Sequence, residues 1–458
     1  MKKYIYTFLI STLFLISCDK YLDVQPKGVR LLETVRDYDE WLNNMDLETS
    51  TPQLLNWLDD RKDLQTLTAA VAATGANERI YTWQAQAIET VPGVAPIWST
   101  LYKTIYLFNT VIANVENAKD GTEQQRQRLK AEALLGRAFE YLYLVNLYGK
   151  LYNPTTASKD LAVPFVTSVD VTDEIPGRST VQEIYDHIIN DINTALANLP
   201  VDNNSNRFRG SVAGAHGVLA KTYLYMGNYH KAAEHAQLAL DKGPNVIIDY
   251  TTLTNAKDVP HLIKRADAIY ARTAGASYNS FEAPTLEFLK TFNTKDLRLK
   301  FYYSPITDLT FTVRGRTNFR HAGAVAGSGS PNWGISVAEM HLIIAEAAVR
   351  NNELTKACDE LDIVRKKRFL VADYVKFTST DKETVFKKVF EERGFELAFS
   401  GMRWFDMRRL DVEGRMPTVS RYSGTNELLS TLAPGSPRYT LQIPKQVLFF
   451  NPTWEQNP

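Results

Sequence analysis

The segment from residue 212 to residue 244 constrains the fold more than any other part of the chain. It carries small and apolar residues at helical spacing on either side of a Gly-Asn turn. These residues are Leu219, Ala220, Tyr223, Gly227, Tyr229, Ala232, Ala236, Ala239 and Pro244. Small residues let two antiparallel helices approach closely, and Tyr223 is expected to fill the groove between them. The segment therefore predicts a helix pair, which cannot bury its apolar face without neighbouring helices.

The spacing within this pair matches the 34-residue tetratricopeptide pattern. A weaker copy returns over 345–361. The helix expected over 179–200 matches the second half of a repeat, and its expected partner is 123–148, reached across an insertion at 149–178. The helix at 96–118 is expected in the same stack. Because the pairs are scattered, the pattern predicts a helical body rather than a uniform solenoid.

Helical periodicity extends over most of the remaining chain. It predicts helices over 34–47, 52–73, 96–118, 123–148, 179–198, 212–226, 229–242, 282–290, 336–350, 354–368 and 381–400. Strand-like runs stand at 268–271, 310–313 and 439–443, a Gly-rich loop at 323–334, and repeated prolines in 411–458 argue against helix there. We expect a mainly α fold with tetratricopeptide-like helix pairs and irregular loop and short-strand elaborations, in which helices from both halves pack together.

The N-terminus reads as a targeting signal. Lys2 and Lys3 precede an uncharged apolar run over 4–16, which is too short to span a bilayer. A small residue followed by Cys18 is similar to the cleavage site of bacterial lipoproteins. We therefore expect a signal peptide over 1–17 and a lipidated Cys18 with a tether over 18–33, against the alternative of an ordinary signal peptide with a chance cysteine. The other cysteine, Cys358, falls in a helical pattern and is expected to be buried and inert.

Charge and motif content exclude several classes of protein. Lys and Arg number 52 and Asp and Glu number 52, so the chain lacks the basic surplus of nucleic-acid binders. His230 and His235 are five residues apart and do not form a zinc-helix motif, and neither a nucleophile elbow nor a phosphate-binding loop occurs. We therefore expect no catalytic residues, no metal and no cofactor. The basic run at 365–368 is expected to face solvent at a helix C-terminus.

Six motifs follow one another in a fixed order. The first is the Cys-Asp-Lys-Tyr-Leu-Asp start at 18–23 with the Pro at 26. The others lie at 98–109, 131–149, 338–347, 391–409 and 443–458. Together these motifs resemble the SusD/RagB family of outer-membrane nutrient-binding lipoproteins. Ser400 departs from the pattern, because the family usually has an acid at that position.

The resemblance implies a lipid-anchored protein of the outer membrane, facing the cell exterior. It would capture an oligosaccharide, deliver it to a TonB-dependent SusC-like transporter and perform no chemistry on it. The regions expected are an N-terminal SusD-like helical region over 34–250 and a C-terminal SusD/RagB region over 251–458, packed on the same helical core. A peptide cargo, a tetratricopeptide scaffold that binds only protein, and a glycosidase stay open as alternatives.

A sugar-binding site needs an aromatic ring for the apolar face of the sugar and polar side chains for its hydroxyl groups. Helical aromatic residues mostly belong to cores, so aromatic residues in loops are the better candidates. Zero net charge argues for a neutral ligand. The candidate residues are Trp83, Trp333 with Asn332, Tyr278 with Asn279, and Asp60 with Arg61.

Overall fold

The computed structural model describes residues 32–64, 67–91, 93–254, 258–274, 283–304, 318–319 and 331–458. Several expectations lie outside the described residues. These are the signal peptide, the lipidated Cys18, the site residues Tyr278 and Asn279, the strand at 310–313 and most of the Gly-rich loop.

Helices supply most of the described structure. The first nine are α1 (Val35–Trp41), α2 (Met45–Glu48), α3 (Ala69–Thr74), α4 (Ala76–Tyr81), α5 (Pro96–Asn114), α6 (Glu123–Tyr148), α7 (Val181–Leu196), α8 (Val212–Tyr225) and α9 (Tyr229–Lys242). They are followed by α10 (Leu286–Thr291), α11 (Leu297–Tyr302), α12 (Val337–Arg350), α13 (Leu354–Arg365), α14 (Lys382–Glu396), α15 (Arg403–Val412) and α16 (Lys445–Phe450). None of the helices in the described ranges is long and apolar enough to cross a membrane.

Short strands pair in four antiparallel two-stranded sheets within the described ranges. The strands are β1 (Lys62–Asp63) with β3 (Ala283–Pro284), β2 (Ala268–Tyr270) with β6 (Ile335–Ser336), β4 (Tyr303–Ser304) with β5 (Asn318–Phe319), and β7 (Val419–Tyr422) with β8 (Leu428–Leu432). Each of the first three sheets joins segments that are distant in sequence or separated by a loop. The β1–β3 sheet joins Lys62–Asp63 to Ala283–Pro284, and the β2–β6 sheet packs on α8.

Local signals fix the helix starts that the sequence predicts. Thr122 and Thr180 form capping boxes with Gln125 and Glu183, in which each N-cap hydroxyl accepts from the backbone N–H three residues on. These reciprocal bonds satisfy orphan donors at the first turns of α6 and α7. As a result α6 begins at Glu123, where the periodicity places its start, and its end at Tyr148 also agrees with the periodicity.

The predicted helix pairs are confirmed. Helices α8 and α9 pack together, as do α6 with α7 and α12 with α13, and α5 packs on α6. Helix α9 also packs on α12 and so connects the pairs of the two halves. A single hydrophobic cluster contains buried side chains from both halves, among them Leu135, Val218, Ile343 and Trp404. The mainly α fold is therefore built on one continuous core.

Three expectations about secondary structure are wrong. The 52–73 segment is not one helix, because β1 pairs with β3 in its middle and a 3-10 turn occupies Gln53–Trp57. The C-terminal region does contain a helix, α16, since Pro444 sits at its N-cap, where a missing N–H does no harm. The 439–443 run is not a strand, because the Leu441 N–H donates to the carbonyl of Leu147 at the end of α6.

The basic run at 365–368 also differs from expectation. Its side chains are not simply solvated, because carboxylates from other elements reach them. Arg365 binds Glu392 at 2.9 Å, and the buried Arg368 binds Glu396 at 2.5 Å. These ion pairs fasten the end of α13 to α14 and use up the charge that an anion site would need.

The motif at 391–409 forms a buried ion-pair network. Arg393 of α14 lies between Asp406 of α15, at 2.9 Å, and Glu339 of α12, at 3.2 Å. Arg409 joins Asp406 at 2.8 Å to Glu346 at 2.6 Å. Burial raises the pKa of Asp406, but Arg393 and Arg409 outweigh it and hold that pKa at about 2. The network fastens three helices of the C-terminal half to one another.

The C-terminal end of α6 is completed by residues far along the chain. The last carbonyls of a helix have no partner within it. Arg408 of α15 donates to the carbonyl oxygens of Asn146 and Gly149, and the Asn457 amide donates to that of Tyr148 at 2.7 Å. The chain thus caps α6 with side chains that follow it by more than 250 residues.

Glu140 of α6 is a buried acid whose carboxylate oxygens have no hydrogen-bond partner among the described residues. Burial raises its pKa to about 7, and the charge of Arg272 offsets only part of that rise. Since the ordinary value is 4.5, the unfolded chain loses this proton first as pH rises, and folding stability falls between about pH 4.5 and 7.

We therefore expect Glu140→Gln to stabilise the protein at pH 8 by up to about 3 kcal/mol, since one pKa unit corresponds to about 1.4 kcal/mol. The measurement is the free energy of unfolding in urea from pH 5 to pH 8. The gain should grow with pH, whereas the exposed Glu455→Gln should show no such trend. A gain that does not change with pH would contradict the prediction.

Candidate functional site

A cleft of about 530 Å³ opens between α14, α10, the start and end of α15 and the turn before β1. Its volume lies in the range of small-molecule binding sites. It is lined by Asp60, Arg61, Thr285, Glu287, Phe288, Thr291, Glu383, Phe386, Lys387, Phe390, Glu391, Gly394, Phe395, Arg403, Leu410, Arg415, Met416 and Pro417. The cleft thus joins two of the predicted site residues, Asp60 and Arg61, to a group of phenylalanines.

Asp60 is fixed in its ionised form. Its two carboxylate oxygens accept from Nε and Nη2 of Arg403 at 2.7 and 2.6 Å. Burial raises the pKa of Asp60, but the Arg403 guanidinium outweighs it, and the pKa is about 2. A bidentate pair of this kind holds both side chains in one orientation at the edge of the cleft.

Arg61 is held just as firmly. Its Nε and Nη2 each donate to the Asp59 carboxylate at 2.9 Å, and its Nη1 donates to the carbonyl of Gly394 at 2.8 Å. The guanidinium carbon lies 4.8 Å from the centre of the Phe288 ring. The cleft therefore has one wall of polar groups whose rotamers are set before any ligand arrives, which lowers the entropy lost on binding.

The charges of the cleft balance. Four of its lining residues are acidic (Asp60, Glu287, Glu383, Glu391) and four are basic (Arg61, Lys387, Arg403, Arg415). Several are paired with one another, as Arg415 is with Glu383 at 2.7 Å. Because the lining carries no net charge, the cleft suits an uncharged ligand better than a highly charged one.

Phe390 is the phenylalanine of the cleft that keeps appreciable exposed surface, since Phe288, Phe386 and Phe395 are buried. The sequence did not identify Phe390 as a site residue, because it lies on a helix, α14, and helical aromatic residues are assigned to the core. The signal was nevertheless present, because Phe386 and Phe390 stand four residues apart among Glu383, Lys387 and Glu391, an unusually charged setting for core aromatics.

Trp83 was expected to be an exposed loop aromatic, and this is wrong. It follows α4 with a left-handed backbone (φ 53°) and is only 3% exposed. The Arg421 guanidinium lies 4.3 Å from its ring centre. The ring borders a separate cavity of about 80 Å³, whose lining includes Gln84 and Gln442. That cavity is too small for an oligosaccharide.

Neither Trp333 nor Asn332 is free at the surface. Trp333 is buried, and the side chain of Asn332 is hydrogen-bonded to backbone groups. Trp333 is 0% exposed, and its ring lies directly over Gly401. The Asn332 side chain accepts from the N–H groups of Arg272 and Gly334 at 3.1 and 3.0 Å and donates to Ile335 at 2.9 Å. The expectation that these residues present an open stacking surface is wrong, because they anchor the start of β6.

The described residues that follow the segment with Tyr278 and Asn279 reach the cleft, since Thr285 is part of its lining. Ala274 bridges to Ser50 and Thr51, and β3 pairs with β1 directly after Arg61. A ligand contact by Tyr278 or Asn279 stays a prediction. Within the described ranges, no group of three or more His, Cys, Asp or Glu side chains is arranged to hold a metal ion.

Comparisons with known proteins point to one family from several directions. Residues 20–224 match a family model described as "Starch-binding associating with outer membrane" (SusD-like), and residues 310–458 match the SusD family model. A SusD-like protein P2 of Formosa agariphila is 25% identical, over 90% of this chain and 91% of that protein. A SusD-like protein of Bacteroides ovatus is 27% identical over 49% of this chain, but over only 39% of its own length.

Solved structures share the fold. A SusD superfamily protein of Bacteroides thetaiotaomicron superposes with a TM-score of 0.74 at 20% identity, covering 93% of this chain and 100% of that one. A SusD-like carbohydrate binding protein of Bacteroides vulgatus gives a TM-score of 0.69 at 18% identity, covering 92% and 97%. Together with the two family models and the motifs of the sequence, these likenesses establish that the chain belongs to the SusD/RagB family.

Proposed function

We propose that this protein captures a neutral oligosaccharide at the cleft of Asp60 and Arg61 and passes it to a TonB-dependent outer-membrane transporter. The observation that carries the proposal is the composition of the cleft. An aromatic ring that is partly exposed lines the same cleft as pre-oriented carboxylate and guanidinium groups, and the lining has no net charge. Family membership supports the same role, since one of the structural relatives is a carbohydrate binding protein.

The chemistry of the site fits binding without turnover. A glycosidase needs two carboxyl groups that flank the glycosidic bond, one of them able to donate a proton. Asp60 is ionised and tied to Arg403 by both oxygens, so it is poorly suited to act as a general acid. The carboxylate of Glu383 is paired with Arg415. Two of the four carboxylates that line the cleft are thus poorly suited to donate a proton to a glycosidic bond.

A delivery protein also has to release its ligand. We expect a dissociation constant in the micromolar to millimolar range, about −8 to −4 kcal/mol. Anchoring through the lipidated Cys18 and exposure on the cell exterior belong to the same proposal. They would keep the open cleft near the transporter without a membrane-spanning helix.

The test is calorimetric titration of the protein lacking residues 1–18 against panels of oligosaccharides and peptides. We expect Phe390→Ala to weaken oligosaccharide binding by about two- to tenfold, because stacking on an aromatic ring contributes about 0.5–1.5 kcal/mol. Tyr278→Ala tests the predicted contribution of that residue. The exposed Phe450→Ala, on α16 and outside the cleft lining, is the matched control and should bind normally.

Binding is compared at a temperature at which every variant is folded, because Phe390 also packs on the core and against Phe386, so its truncation should lower the melting temperature. If the protein binds peptides but no glycan, the cargo in this proposal is a peptide and not an oligosaccharide. Wild-type affinity in Phe390→Ala would remove the cleft as the site. Turnover of any glycan would overturn the non-catalytic role itself.

A further inference from the structure

Arg207, in the segment between α7 and α8, is a buried arginine with few partners. It is 5% exposed, and its side chain makes one hydrogen bond to the described residues, from Nη1 to Oδ1 of Asn203 at 2.9 Å. Asp202 and Asp267 act on its charge, but neither forms an ion pair with it. A buried charge without a partner is costly, and a guanidinium has five N–H donors. Arg207 can therefore donate to a partner outside the chain.

The other buried arginines that the structure describes are better satisfied. Each of them either pairs with a carboxylate, as Arg393 does, or donates to three or more acceptors, as Arg421 does. Arg207 does neither. The fold thus supplies partners to its buried guanidinium groups as a rule, and Arg207 is the exception.

Arg207 lines a cavity of about 220 Å³ between the 200–211 segment and the end of α9. The end of α9 lies close to the start of α8, because a Cβ added to Gly243 would be 3.2 Å from the Cβ of Ala213. A single water needs about 10–15 Å³, so the cavity can hold an ion of several atoms. The polar and charged residues of its lining are Asp202, Asn203, Asn204, Arg207, Ser211 and Lys242.

The start of α8 adds a backbone donor to this cavity. Ser211 caps the helix by accepting from the N–H of Gly214 at 3.1 Å, and the N–H of Val212 donates to the carbonyl of Pro200 at 3.0 Å. Ala213 lies between them and lines the cavity, and its N–H has no partner among the described residues. The first N–H groups of a helix attract anions, because they carry its partial positive charge.

The charged residues of the lining also favour an anion. Arg207 and Lys242 are basic and Asp202 is acidic, so two positive charges and one negative charge leave the lining with a single net positive charge. Lys242 lies in the last turn of α9, where it opposes the partial negative charge of that helix end. The sugar cleft, by contrast, has a lining without net charge.

We propose that this cavity binds a small oxyanion, a phosphate, sulfate or carboxylate group, through Arg207, Lys242 and the N-terminus of α8. The cavity shares no lining residue with the sugar cleft, so the site neither depends on the proposed function nor supports it. A bound anion would pair with the buried guanidinium and hold the 200–211 segment against the end of α9. Because only the folded chain brings these groups together, the anion should stabilise the fold by mass action.

The test is calorimetric titration of the protein lacking residues 1–18 with sodium phosphate, sodium sulfate or sodium glucuronate, at pH 7.5 and constant ionic strength. We expect one anion per chain and a rise in melting temperature. Binding of glucuronate alone would identify the anion as a carboxylate carried by a sugar, and binding of phosphate or sulfate alone would identify a free inorganic ion.

Two variants remove the proposed donors. Arg207→Met should weaken binding by at least about tenfold, the lower end of the effect expected when a hydrogen bond to a charged group is lost. Lys242→Met should weaken it by about two- to fivefold, as expected for an exposed ion pair. Lys231→Met is the matched control, because Lys231 is exposed on α9 but outside the lining, and it should bind like the wild type.

Asp202→Asn provides a result that a folding defect cannot imitate. It removes the acidic charge of the lining, so binding should become about two- to fivefold tighter. The proposal is overturned if the wild type shows no saturable binding of any of the three probes. It is overturned equally if the wild type, Arg207→Met and Asp202→Asn bind with the same affinity.

Discussion

Replacing Arg393 by Met should lower the free energy of unfolding by about 3–5 kcal/mol, the effect expected when one partner of a buried ion pair is removed. Arg393 is 1% exposed and lies between the carboxylates of Asp406 and Glu339. Without the guanidinium, both carboxylates stay buried but lose a positive charge that stabilises their ionised form. The measurement is the urea midpoint and slope at pH 7, compared with the wild type.

Two further observations separate this mechanism from a simple packing defect. The stranded carboxylates can take up protons, so the deficit of Arg393→Met should shrink as pH is lowered toward 4. Arg36→Met is the control, because Arg36 also pairs with an acid, Glu40, but its side chain is 86% exposed. It should change stability by less than about 1 kcal/mol. An equally small effect for Arg393→Met would show that the network contributes little.

Gly401→Ala should destabilise the protein by about 2–5 kcal/mol. Gly401 has a φ of +78°, and a Cβ built there would lie 2.2 Å from the Trp333 ring. The left-handed backbone costs an alanine about 1–2 kcal/mol. Overpacking against a fully buried ring adds about 1–3 kcal/mol. The expected result is a lower melting temperature together with a blue or red shift of tryptophan fluorescence.

Gly414→Ala separates the two contributions. Gly414 has a similar φ of +68°, but a Cβ there would meet nothing within 4 Å. This variant should show only the backbone cost, so the difference between the two alanines measures the contact with Trp333. If both variants lose the same stability, the ring moves aside without penalty, and the close packing of Trp333 on Gly401 does not restrict the core.

The helices were predictable because their signals are local. The starts of α6 and α9 follow from periodicity and from N-caps, Thr122 and Asn228, that bind backbone N–H groups three residues on. The order of family motifs also identified the fold. The motif at 391–409 was recognisable as a pattern, but its ion pairs could not be predicted. Arg393 and Arg409 bind carboxylates on α12, more than 50 residues away in sequence.

The site was predictable only in part, for the same reason. Asp60 and Arg61 were selected for their side-chain chemistry, and they do line the cleft. Trp333 was selected because loops usually lie at the surface. Its burial depends on Gly401, which follows it by 68 residues and leaves room for the ring by lacking a side chain. Neither the spacing of the residues nor the composition of the chain predicts that a large residue such as Trp333 packs on a small one such as Gly401.

The capping of α6 by Arg408 and Asn457 has a consequence for the order in which the chain can fold. During synthesis, α6 leaves the ribosome long before Arg408 and Asn457 have been made. Until both arrive, the carbonyls of Asn146, Tyr148 and Gly149 must be hydrated, and the end of the central helix frays. Contacts of such sequence separation also form slowly. The end of the helix around which the core is built therefore reaches its final state only after residue 457 has been made.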